Sequence, residues 1–237
     1  MALPKLNVPK FKLKLPSDGR TVNFRPFLVK EEKLLLIATE TGEQADIVIA
    51  IKDIIKTCTD IQDVEKLSTF DIEYVFLQIR TKSVGESVDV TIMCPDDNET
   101  EVNVSIPLDE IKVKKDRKHK NEIKLSDDII ITMGYPNLEA FVRMNFDDEQ
   151  GSPLDQVFEL ASECIKTIAD TNQVYDCADS SKSEIMDFFE QLNTQQFMKI
   201  QEFFETMPKL SHTLKVTNPN TGVESEVVLE GLASFFA

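Results

Sequence analysis

Four cysteines, two histidines and a few carboxylate clusters are the side chains of this 237-residue sequence that could hold a metal or act as nucleophiles. The most suggestive stretch is IMCPDDNETEVNVSI, residues 92–106. A zinc ribbon sets Cys-Pro-x-Cys-Gly in such a turn. Here Cys94 and Pro95 fit, but Asp97 stands where the second thiolate belongs. A second turn, Asn218-Pro219-Asn220-Thr221-Gly222, echoes the first, with Asn218 and Thr221 at the ribbon positions. Tetrahedral zinc needs four good sulfur or nitrogen ligands, and these turns keep one cysteine. His119 and His212 stand at ligand spacing to nothing. The expectation is a pair of metal-free hairpins, their turns held by proline and by Asn98 or Gly222, which tolerate left-handed backbone. A relic of a zinc site is the second reading.

The remaining chemistry is thin. Asp96, Asp97 and Glu99 beside Cys94 suppress its thiolate, so an inert cysteine is expected. Asp127-Asp128 and Asp147-Asp148-Glu149 lack the alternating oxygen ligands and central glycine of a calcium loop. There is no glycine-rich phosphate loop and no serine framed as a nucleophile elbow. No catalytic, cofactor-binding or metal-ligating residues are therefore assigned, and the chain is not expected to be an enzyme. Cys58, Cys94, Cys164 and Cys177 lie far apart without paired spacing, which fits a reducing cytoplasm rather than a disulfide framework. No apolar stretch has the length of a signal peptide or a membrane span.

The formal net charge of −16 opposes binding to nucleic acid and anionic membranes. It means either a well-solvated surface or an acidic face for a basic partner. Two segments run against it: Lys5, Lys10, Lys12 and Lys14 near the N-terminus, and IKVKKDRKHKNEIK, residues 111–124. The second lacks interleaved aromatic residues for stacking bases, so an exposed loop or a dock for an acidic protein is expected.

The elements that must position these residues follow from periodicity. Residues 1–19, with Pro4, Pro9 and Pro16, read as an extended N-terminal arm, of which residues 1–16 bury too little surface to order without a partner. Residues 21–25 read as a strand. Helices are expected at 30–56, broken near Gly42, and at 69–82, capped by Ser68 or Thr69 and burying Phe70, Ile72, Val75, Phe76 and Ile79. Hairpin strands follow near 87–93 and 101–106, then strands at 123–125 and 129–133 and a short helix within 136–150. Pro153 opens a helix over 153–169. Helices follow from Ser181 or Ser183 to Leu192 and from Thr194 to a point before Pro208, then strands near 212–217 and 224–229. The reading is α+β: helical layers, each followed by an antiparallel Pro-turn hairpin, with a possible internal pseudo-duplication. The domains expected are the arm 1–19, an α+β domain 20–150 with the first hairpin, and a helical domain 151–237 ending in the second.

The opening TVNFRPFLVKEEKLLL, residues 21–36, and the ending VVLEGLASFF, residues 227–236, resemble the baseplate hub assembly proteins of T-even-type contractile-tailed phages. The resemblance implies a non-enzymatic late protein that helps build the tail baseplate, in the host cytoplasm and then in the virion tail. Its partners would be other baseplate proteins of the hub or wedge. The alternative is a transient chaperone for hub subunits; mass spectrometry of purified virions separates the two. Candidate partner contacts are Lys10, Phe11, Lys12, Lys114, Lys115, Lys118, Phe235 and Phe236. The last two either anchor a partner or plug their own domain against Phe197, Ile200 and Phe204. Deleting residues 233–237 should lower the melting temperature if they are a plug; a partner anchor predicts unchanged melting and lost binding.

Overall fold

A computed structural model describes residues 7–41, 44–138, 153–231 and 234. In chain order the elements are β1 (Phe11–Lys14), β2 (Thr21–Phe24), α1 (Val29–Thr41), α2 (Gln44–Cys58), α3 (Thr69–Ser83), β3 (Ser87–Met93), β4 (Glu101–Pro107), β5 (Lys112–Lys114), β6 (Glu122–Lys124), β7 (Ile130–Met133), α4 (Pro153–Cys164), β8 (Ile165–Ala169), β9 (Val174–Asp176), α5 (Lys182–Glu190), α6 (Thr194–Thr206), β10 (Lys209–Thr217) and β11 (Glu224–Glu230). Helices stand beside small antiparallel sheets, so the class is α+β as read from the pattern. The chain divides into two units: Met1–Val64 with Phe70–Lys114 and Lys209–Ala237, and Glu65–Thr69 with Lys115–Pro208.

In the first unit the N-terminal arm finds its strand partner within its own chain. β1 pairs with β2, Phe11 opposite Phe24 and Lys14 opposite Thr21. Alternation puts Leu13 and Leu15 on the buried face while Lys12 and Lys14 stay exposed. The chain reverses where Gly19, at φ +74°, donates its N–H to the Leu15 carbonyl at 2.9 Å. The expected dependence on a partner is therefore corrected from residue 11 onward.

Pro26 stops β2, and α1 and α2 follow as two helices, with Gly42 between them outside the described residues. The apolar repeat of α1 is not all core. Ala38 is buried, but Leu34 and Ile37 are 48% and 49% exposed. In α3, Phe70, Ile72, Val75, Phe76 and Ile79 are all buried, as their spacing requires. The hairpin β3–β4 buries Val88, Val90 and Ile92 from alternate positions. A three-stranded sheet in the order β11-β10-β5 sets Lys209 opposite Lys114 and Leu210 opposite Val113.

The second unit holds one antiparallel sheet in the order β6-β7-β8-β9 together with α4, α5 and α6. Ile131, Ala161, Phe189 and Ile200 are fully buried in its core. The helix expected over 153–169 ends at Cys164, and residues 165–169 are β8, paired with β7. Ile165, Thr167 and Ile168 are β-branched and favour extended backbone, yet their spacing also satisfies a helical repeat. The Cys164 carbonyl accepts from Gly134 N–H at 2.6 Å, which ties the new strand to its neighbour. The polar stretch 170–181 contains β9 as well.

Ser181 caps α5 and forms a reciprocal pair of hydrogen bonds with Glu184. The cap of α6 is Asn193, one residue before the expected Thr194, with Gln196 closing the same kind of box. A short helix within 136–150 lies outside the described residues beyond Leu138.

Candidate functional site

The two echoing turns meet in the first unit. Each is built alike: Asn98 N–H donates to the Cys94 carbonyl at 2.9 Å, and Gly222 N–H to the Asn218 carbonyl at 2.8 Å. Asn98 and Gly222 hold the left-handed backbone this closure needs, at φ +53° and +74°. The polar side chains of the two turns then join the hairpins. The Asn218 amide, fully buried, donates to both Asp96 oxygens at 3.1 Å and to Asp97 Oδ2 at 2.8 Å. Its own oxygen accepts from the N–H groups of Asn220 at 2.8 Å and Thr221 at 3.3 Å. The Thr221 hydroxyl donates to Asp96 Oδ2 at 2.6 Å. On the other side, Asp97 accepts from the Thr100 hydroxyl at 2.5 Å and from the N–H groups of Glu99 and Thr100, both at 3.0 Å.

These bonds set the charge state. The Thr100 hydroxyl, the Glu99 and Thr100 N–H groups and the Asn218 amide hold the Asp97 carboxyl far below its ordinary value. Thr221 and Asn218 do the same, more weakly, for Asp96. Two carboxylates are thus kept ionised by amide and hydroxyl donors that leave little acceptor capacity open. Among the described residues, no group of three histidine, cysteine or acidic side chains is arranged to hold a metal ion.

Cys94 is 1% exposed, and its thiol is pushed up first by burial and then by the charges of Asp96 and Asp97. Cys58, pushed up to about 11, and Cys164, pushed up to about 12, are likewise buried. The arrangement is a clasp between hairpins, with no activated nucleophile. Chelator should leave the melting temperature unchanged, and a loss of several degrees would overturn the metal-free clasp. Cys94→Ser should cost about 1–2 kcal/mol, more than the turn position alone suggests, because it buries a hydroxyl.

The expected contact residues are spread over several elements. Lys10 precedes β1 and Lys12 lies on it, both exposed, whereas Phe11 is half-buried against the Phe24 ring, centroids 5.6 Å apart. Lys82 Nζ lies 5.7 Å from the Phe11 centroid. Lys114 is exposed on β5, its amine donating to the Thr213 hydroxyl at 2.9 Å. Lys115 and Lys118 lie in the second unit on a loop with Arg117 and Lys120, all exposed. Phe235 and Phe236 lie outside the described residues.

That loop is anchored by a residue that its run of charged neighbours would place in solvent. His119 is 7% exposed, stacked on Tyr135 at 5.6 Å and tilted on Phe203 at 4.9 Å. The Thr206 hydroxyl gives its proton to the Glu202 carbonyl at 2.7 Å, so it accepts from His119 Nδ1 at 3.1 Å. With Nδ1 protonated and the ring neutral, Nε2 is the acceptor facing the Tyr135 hydroxyl at 3.1 Å, and it competes for that single proton with Asn121 Oδ1 at 3.3 Å. Burial first, then the Lys115 charge, lowers the His119 pKa and keeps the ring neutral. Asp116 closes the loop, accepting from Lys118 N–H at 2.7 Å. No sequence signal separates this histidine from its exposed neighbours, because its receiving aromatics lie 16 and 84 residues further along the chain.

The family model described as T4 bacteriophage base plate protein matches residues 8–237. No curated protein and no solved structure gives a match. The match covers both hairpins, the clasp between them and the histidine-anchored basic loop, and the chain belongs to the T4 bacteriophage base plate protein family.

Proposed function

We propose that this chain is a non-enzymatic protein of the tail baseplate that acts in assembly of the hub through protein–protein contacts. Family membership supports the baseplate role. The observation that carries the contact reading is the loop 115–120. Four cationic side chains, Lys115, Arg117, Lys118 and Lys120, are exposed there on a backbone fixed by the buried His119 and the Asp116 turn. A cationic surface held in place on a chain of net charge −16 fits an acidic patch on a neighbouring baseplate protein, where charge complementarity sets rate and register. Lys10 and Lys12 offer a second, smaller cationic surface in the first unit.

Reversing two of these charges tests the reading. Lys115→Glu with Lys118→Glu should leave the circular dichroism and melting temperature near wild type, since both side chains are exposed. Affinity of this variant for the neighbouring baseplate protein should fall by at least about tenfold, the effect of losing roughly 1.4 kcal/mol of contact, and fewer complete baseplates should form. Normal baseplate yield from the variant would remove the loop from the contact surface.

A further inference from the structure

The sheet of the second unit ends on an edge that looks unfinished. β9 is the last strand of the order β6-β7-β8-β9 and is three residues long. Val174 and Tyr175 on it are 67% and 43% exposed. Beside it opens a groove of about 300 Å3 lined by Ile129, Ile168, Asp170, Tyr175, Ser180 and Phe188. Tyr175 stands opposite Ile168 across the β8–β9 ladder, so the two share one face and form the floor together. Phe188 of α5 and Ile129 complete an apolar lining.

Carboxylates adjoin the lining residues along the chain. Asp170 lines the groove itself. The other lining residues, Ile168 apart, each have a carboxylate as immediate chain neighbour: Asp128 beside Ile129, Asp176 beside Tyr175, Asp179 beside Ser180 and Asp187 beside Phe188. All four neighbours are exposed. Across residues 165–192, six carboxylates face two lysines, and one of these, Lys182, is bonded to Glu159 at 2.6 Å.

We propose that the β9 edge and this groove receive an extended, lysine- or arginine-rich segment of a partner protein that carries apolar side chains at alternate positions. An added strand would take up main-chain hydrogen bonds along β9. Its period of two would send apolar side chains to the Tyr175 face and into the groove, and its cationic ones to the opposite face, beside Asp176. The apolar floor rejects a uniformly polar peptide, and the carboxylates reject an acidic one. This site is separate from the cationic loop 115–120 and calls for a partner surface of opposite charge.

The test uses the full chain and a fluorescein-labelled hexapeptide alternating lysine with leucine, phenylalanine and valine. Anisotropy should show saturable binding that weakens as salt is raised. Replacing the lysines by glutamate, or the apolar residues by serine, should each weaken binding by about tenfold or more. The same loss is expected for Tyr175→Ala and for Asp179→Lys with Asp187→Lys, exposed changes whose folding is checked by far-ultraviolet circular dichroism. Absence of saturable binding, equal binding of either control peptide, or full affinity in either folded variant would overturn the site.

Discussion

Asn218→Ala should cost the first unit about 3 kcal/mol and lower its unfolding midpoint by roughly 10 °C. The side chain is fully buried and serves both turns at once, donating to Asp96 and Asp97 and accepting from Asn220 and Thr221. Alanine leaves two carboxylates facing each other without the amide between them. Asn218→Asp should be worse at neutral pH, because it places a third carboxylate in the same space, and it should recover in acid as the charges are lost. The wild type should behave in the opposite sense. Its Asp97 and Asp96 carboxyls are held below their unfolded values by the donors of the clasp. That contribution is fully present above the unfolded value of about 4 and is lost as pH falls through the folded values. Thermal melts of the three proteins between pH 7 and pH 3 check the signs. Asn218→Ala melting with the wild type across that range would mean that the clasp does not stabilise the hairpins.

Glu31→Ala should be as costly, at about 3 kcal/mol, for a different reason. Glu31 is 2% exposed and accepts from Arg25 Nη2 at 2.9 Å and from Leu28 N–H at 2.8 Å. Burial alone would raise its pKa, but hydrogen bonds from Arg25, Leu28 and Lys30 hold it below the ordinary carboxylate value. Removing the carboxylate strands a mostly buried guanidinium and the N–H at the start of α1. Arg25 keeps bonds to the Pro26 and Thr57 carbonyls, which places the loss at the lower end for a broken buried pair. Glu31→Gln retains an acceptor for Leu28 and should lose less. Arg25→Leu combined with Glu31→Leu should be more stable than either single change, since neither charge is then left unpaired. Urea titrations of the four proteins measure the coupling. A Glu31→Ala midpoint indistinguishable from wild type would show that the pair contributes nothing net.

The N-terminal arm shows how a correct local reading can still miss its partner. Alternating Lys12, Leu13, Lys14 and Leu15 specify a strand with one apolar face, and such a strand forms. Composition does not say whether its partner is another protein or β2, ten residues on. The register Phe11 opposite Phe24 follows from the turn at Gly19, whose left-handed backbone sends the chain back over itself. Residues 165–169 failed for a different reason: in a run of five, β-branched side chains fit both a helical and an extended repeat. The ladder with β7 decides between them.

By itself the sequence determined the α+β class, the buried face of α3, both hairpins with their left-handed turn residues, and the resemblance to a baseplate family. Each of these rests on spacing within a dozen or so residues, or on a phrase read whole. Tertiary structure alone decided that Asp96 and Asp97 meet Asn218 and Thr221 across more than 120 residues, and that His119 leaves a run of solvated lysines for an aromatic pocket. The physical reason is the same in both cases. A buried polar side chain is stable only beside its donors and acceptors, and those partners are brought by chain closure, which local sequence does not encode.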